Sequence, residues 1–229
     1  MIQMHQQIRK SLVPRYSKVD LENLAQEFLT SHYPKALATP MKVPIRGIAI
    51  KKLGLRVLEK CLTEDLSIYG QMCFTSGKLE IYDPENDEYL EIPVRAGTIV
   101  IDPLLIKERN QGCYNHTLAH EVFHWWKHKD YHIFHSTRDR KKSESGASNF
   151  KQLSFSETEL DSDTRWMEFQ ADSFAARVLM PAEPFTQKFN ELTAKKLGTK
   201  SNVVSALASF FEVSKQSANI RIDELGLII

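Results

Sequence analysis

The chain has 229 residues, of which 42% are hydrophobic, 10% aromatic and 26% charged, with a formal net charge of +1. That length suits one domain of about 150–180 residues with a small appendage. The composition is that of an ordinary globular protein, and the near-neutral charge argues against a mainly electrostatic nucleic-acid binder.

Along the chain, no run reaches the roughly 18–20 apolar residues of a membrane span. The opening stretch MIQMHQQIRK lacks the apolar centre of a secretory signal. Cys61, Cys73 and Cys113 are too widely spaced for a paired metal motif and, being three, leave a disulfide framework incomplete. A cytoplasmic, reducing setting without membrane attachment is the expectation.

The segment YSKVDLENLAQEFLTSHY carries Leu21, Leu24, Ala25, Phe28 and Leu29 at one-face helical spacing, with Ser17 or Asp20 as cap. VPIRGIAIKKLG predicts a short helix opening at Pro44 and stopped by Gly54. Between Leu55 and Asp102 the period changes to two. Five short runs (LRVLE, YGQMCFT, KLEIYD, EYLEIPV, TIVID) alternate with turn residues, which predicts a small, mostly antiparallel sheet. A helix over about 116–127 follows. Residues 136–151, STRDRKKSESGASNFK, read as a solvated polar loop. DTRWMEFQADSFAARVLMP predicts a strong helix from Asp163 or Thr164 to Pro181. Shorter helices are expected over about 182–197, 202–212 and 215–225, the last after Ser214.

The first motif helix contains His-Glu-x-x-His at His120, Glu121 and His124. Chance alone produces that pattern in about two per cent of chains with this content of His and Glu. On a helix the two histidines lie roughly 40° apart on one face, close enough to take adjacent corners of a zinc tetrahedron. Glu121 falls well round the helix from them. It is poorly placed as a ligand and well placed to take a proton from a water at the metal. The neighbours Leu118, Ala119, Val122, Phe123, Trp125 and Trp126 make the helix apolar nearly all round, and a buried helix does not carry such polar groups without partners. The plainer alternative is a surface histidine pair beside a salt-bridging glutamate.

A third ligand is needed, and the extension His-Glu-x-x-His-x-x-Gly-x-x-His is absent because Lys127 and Asp130 stand at its last two positions. Glu168, on the later helix, is the better candidate. Asp172 lies one turn beyond it on the same face, placed to accept a hydrogen bond from a ligand imidazole. Ala171 and Ala175 border that face and would allow close packing of the two helices.

HTLAHEVFHWWKH followed by EFQADSFAARVLMP resembles the ImmA/IrrE family of intracellular zinc metallopeptidases. The second motif matches at Glu168, Ala171, Asp172, Phe174, Ala175, Leu179, Met180 and Pro181, and the closing LASFFEVSKQSANIRIDELGLI resembles the family's small helical tail. The resemblance implies His120, His124 and Glu168 as zinc ligands and Glu121 as general base. It also implies gene regulation, often on a mobile element, by cleavage of a helix-turn-helix repressor. Phe123 departs from the family's usual Gly before the second histidine, which would narrow the pocket.

The expected architecture is α+β: a zincin-like metallopeptidase domain over 1–181 and a helical, helix-turn-helix-like extension over 182–229. Direct nucleic-acid contact is not expected, since Lys215 and Arg221 are the only basic residues on the last helix. His116, His128, His132 and His135 cluster near the motif but receive no role. The rival expectation is a zinc-stabilised regulatory or DNA-binding protein without turnover. It is disfavoured because structural zinc is normally closed by four protein ligands.

Overall fold

A computed structural model describes residues 13–134, 157–194 and 199–228, with side chains from 163 onward in the second motif helix. The chain opens with α1 (Lys18–His32), capped reciprocally by Ser17 and Asp20, and buries Leu21, Ala25, Phe28 and Leu29. After α2 (Lys35–Ala38), α3 (Ile45–Lys51) starts at Pro44. The chain then turns at Gly54, whose φ of +67° is one that favours glycine.

Five strands follow: β1 (Arg56–Glu59), β2 (Gly70–Cys73), β3 (Gly77–Asp83), β4 (Glu88–Val94) and β5 (Thr98–Ile101). They divide into a three-stranded sheet of order β1-β5-β2 and a separate β3–β4 hairpin. Two of the pairings are antiparallel, but β1 and β5 run parallel. The cause lies in β5, whose four residues are all buried. A strand without a polar face belongs in the middle of a sheet, and a parallel partner must be reached by a long crossover. Here that crossover carries β2 and the hairpin, whose Leu79, Ile81 and Val94 bury with Leu62, Cys73 and Val100 in a small second core.

A π-helical turn, Leu105–Arg109, leads into α4 (Gln111–Phe123). This helix starts before residue 116 because the Asn110 side chain accepts the Cys113 N–H and caps it. It continues through a second π-helical turn, His124–His128, into helical residues 129–134. The proposed polar loop 136–151 lies outside the described residues. The second motif helix, α5 (Glu157–Leu179), begins earlier than its sequence pattern suggests.

The last helices are α6 (Ala182–Ala194), α7 (Lys200–Phe211, capped by Thr199) and α8 (Lys215–Glu224, capped by Ser214). Their Phe185, Phe189, Leu207, Phe211 and Ile222 bury in one core with Phe28 of α1, Leu118 and Phe123 of α4, and Phe174 and Val178 of α5. Arg221 seals this junction. It is 1% exposed, donates to the Met180 carbonyl at 3.0 Å and grips Glu22 of α1 through two hydrogen bonds of 2.9 and 2.7 Å. A cation so buried and so engaged is not available to a phosphate backbone. Among the described residues, no helix is long and apolar enough to cross a membrane.

Candidate metal centre

α4 and α5 pack side by side, and their shared face is lined by Ala119, Ala171 and Ala175, all fully buried. Small side chains let the two backbones approach, and residues at four-residue spacing on each helix then meet. From α4 come His120 and His124, with Nε2 atoms 2.8 Å apart. From α5 comes Glu168, whose Oε2 is 3.1 Å from His120 Nε2 and whose Oε1 is 3.4 Å from His124 Nε2. Among the described residues these three form a group able to hold a metal ion, with one ligand atom from each lying within 4.8 Å of the others.

The next ring of contacts orients the side chains of this group. Asp172, one turn beyond Glu168, lies with Oδ1 2.8 Å from His120 Nδ1. A carboxylate can only accept, so His120 donates from Nδ1 and turns Nε2 toward Glu168 and His124. The same Oδ1 is 3.5 Å from His116 Nε2. On the other side His124 Nδ1 is 3.0 Å from His128 Nδ1, and His128 Nε2 is 2.9 Å from Gln170 Oε1. Asp172 thus lies between the His120 and His116 rings. His116, His128 and Gln170 had no assigned role, although histidines at 116, 120, 124 and 128 form a four-residue ladder that the sequence displays.

Charge completes the picture. Burial by itself would lower His120, but hydrogen bonds to Asp172 and Glu168, with the negative charge of Glu121, raise it to about 10. Burial would raise Glu168, yet its hydrogen bonds with His120 and His124 and their charge hold it well below the usual carboxylate range. Asp172 behaves alike through His116 and His120. The cluster therefore attracts a cation strongly. Two imidazole lone pairs cannot face one another at 2.8 Å unless a positive charge, proton or metal, lies with them.

Glu121 stands apart from that three-residue group. It is buried, and that burial pushes its carboxyl group up from the ordinary range, partly offset by the two histidines and a hydrogen bond from the Met72 N–H. Strand β2 passes close against it: a Cβ on Gly70 would come 2.6 Å from Thr117 Cγ2 and 3.4 Å from Glu121 Cγ. Only glycine lets the strand run so near. Phe123 does not narrow this pocket. It is fully buried on the opposite side, with its ring 4.5 Å from that of Phe174 and 5.1 Å from that of His128. The helical period sends it into the core.

Comparison with known proteins adds three findings. Among curated proteins none matches the chain significantly. A solved structure described as a Mycobacterium tuberculosis transcriptional regulator is similar at 14% identity and a TM-score of 0.48, over 89% of this chain and 46% of that one. The chain thus spans about half of that protein's length. The family model of the IrrE N-terminal-like domain matches residues 85–223, more than half of the chain and both motif helices, and the protein belongs to that peptidase family.

Proposed function

We propose that the protein is a cytoplasmic zinc metallopeptidase that cleaves one specific protein, a helix-turn-helix transcriptional repressor, and so relieves repression. The observation that carries the chemistry is the meeting of His120, His124 and Glu168 in a three-residue group beside a buried glutamate that is not part of it. Three protein ligands leave a coordination position open, as catalytic zinc sites do. The donor set, two imidazoles and a carboxylate, suits zinc. When bound there, zinc would supply Lewis acidity toward the scissile carbonyl and toward water.

The chain's own groups do the rest. Glu121 takes the proton of the attacking water and passes it to the leaving amine. Its raised proton affinity, from burial, favours that shuttle. Asp172 holds the His120 ring, and β2, an edge strand passing Glu121, is available to align an extended peptide by main-chain hydrogen bonds. Pairing of that kind reads backbone rather than side chains. Selectivity must come from docking of a folded partner elsewhere on the surface. The family assignment supports peptidase chemistry, and three unpaired cysteines suit the reducing cytoplasm where a repressor acts.

The test uses the zinc-loaded protein, its Glu121→Gln variant, casein, and a helix-turn-helix repressor encoded in the same genome. Cleavage of the repressor at one site by the wild type, with little casein degraded and no cleavage by Glu121→Gln, is expected. Rapid casein degradation with the repressor intact would refute the narrow specificity. A Glu121→Gln protein that still relieves repression in cells would mean a regulator without turnover.

A further inference from the structure

Behind His124 a chain of hydrogen bonds runs to the backbone of the N-terminal segment. His124 Nδ1 meets His128 Nδ1 at 3.0 Å, His128 Nε2 meets Gln170 Oε1 at 2.9 Å, and Gln170 Nε2 donates to the Pro14 carbonyl at 2.7 Å. His128 and Gln170 are 1% and 0% exposed, so neither can exchange these partners for water.

The direction of every proton in this chain follows from its last member. The Pro14 carbonyl can only accept, which turns the NH₂ of Gln170 toward it and leaves Oε1 facing His128. A carbonyl oxygen accepts, so His128 must carry its proton on Nε2. Its Nδ1 is then a bare lone pair, and the His124 nitrogen facing it must be the donor. With the proton on Nδ1, His124 is left with Nε2, the nitrogen that faces His120 and Glu168, as the one it can offer a metal. Reversing the order would set Gln170 Oε1 against the Pro14 oxygen at 2.7 Å and protonate the very atom a metal needs.

We propose that His128 and Gln170 are positioning residues that lock His124 in the one tautomer able to bind the metal, with Pro14 setting the direction of the relay. The π-helical turn His124–His128 belongs to the same device, since it lies where the two rings meet across one turn. This rests on the reading of His120, His124 and Glu168 as a metal centre.

Two measurements test it. In the zinc-loaded wild type, long-range proton–nitrogen NMR should find His128 protonated on Nε2 and His124 on Nδ1. A proton on His128 Nδ1 would overturn the proposal. Zinc affinity, by competition with a chromogenic chelator, should fall about ten- to a hundredfold in His128→Phe, which keeps the shape and removes the acceptor. Gln170→Leu should fall in the same direction, and His128→Asn, whose side-chain oxygen can replace Nδ1, should stay near wild type. Folded variants, checked by circular dichroism, that all bind zinc like wild type would refute the relay while leaving the metal centre intact. If His128→Phe does not fold, Gln170→Leu and the wild-type NMR decide. A wild-type protein that takes up no zinc would refute the metal centre itself.

Discussion

Glu121 and Glu168 are the same residue type in different surroundings, and the roles proposed for them follow from that difference. Glu168 side-chain oxygens lie 3.1 and 3.4 Å from the two imidazoles, whereas Glu121 is buried beside β2 and contacts the Met72 N–H. Replacing Glu168 by Ala should therefore abolish tight zinc binding, while Glu121→Gln should retain it and lose about 10²–10⁴-fold in turnover. Metal analysis of the two purified variants separates the roles, and equal zinc content in both would contradict them. His120 makes a further outcome visible. Burial opposes its protonation, but Asp172 and Glu168 raise it to about 10, so near neutral pH its ring holds a proton that a metal must displace. Because the proton competes below that value, zinc affinity should rise by about tenfold per unit between pH 6 and 8, with about one proton released per metal bound. Calorimetry in two buffers of different ionisation enthalpy measures the release. None at pH 7 would show that His120 is already neutral.

At the scale of elements, the site depends on two close approaches that no periodicity reveals. One is β2 against α4 at Gly70. The other is the start of α4 against the loop before α8, where a Cβ on Gly112 would come 2.2 Å from the Val213 carbonyl carbon. Asn115 reinforces that contact by donating to the Glu212 carbonyl at 2.9 Å. Backbone lies against backbone there, so no flexible side chain can give way. Gly112→Ala should cost about 1–3 kcal/mol of stability, read from chemical denaturation. An unchanged midpoint would mean that the C-terminal helices are not docked on α4 as described. How much of these elements was legible in the sequence divides along the same line. The amphipathic period of α1, a cap at Ser17 or Asp20, and the five short strands were all readable, because each rests on neighbours within a few residues; that the two residues cap reciprocally came from the structure. The parallel pairing of β1 with β5 and the early start of α4 were not. The first depends on a long crossover, the second on a cap outside the apolar pattern.

For the molecule as a whole, the C-terminal helices and the motif helices share one core, and Arg221 is its rivet. It ties α8 to Glu22 of α1 and to the end of α5 at Met180, while Arg177 of α5 pairs with Glu22 and Glu224. Arg221→Leu would leave the Glu22 carboxylate and the Met180 carbonyl without their best donor. A loss of about 2–4 kcal/mol is expected, measured by urea unfolding. Truncation after Pro181 is the stronger case. It would strip Phe185, Phe189, Leu207, Phe211 and Ile222 from the core and should leave residues 1–181 without a cooperative unfolding transition. A truncated chain that melts cooperatively and still binds zinc would show that the two parts fold independently.

By itself the sequence determined the reading of the chemistry. The His120–His124 pair, the aligned Glu168 and Asp172, and the family motif all depend on spacing along single helices, and helical geometry is the same in every protein. Tertiary packing decided the rest. It carried Glu168 to within bonding distance of two imidazoles from another helix, sent Phe123 into the core rather than the pocket, and spent Arg221 on an internal ion pair. It also joined His124 to His128, Gln170 and Pro14, a relay drawn from three separate parts of the chain. The physical reason is that such contacts are chosen by how all the apolar surface is buried at once, and no local pattern holds that information.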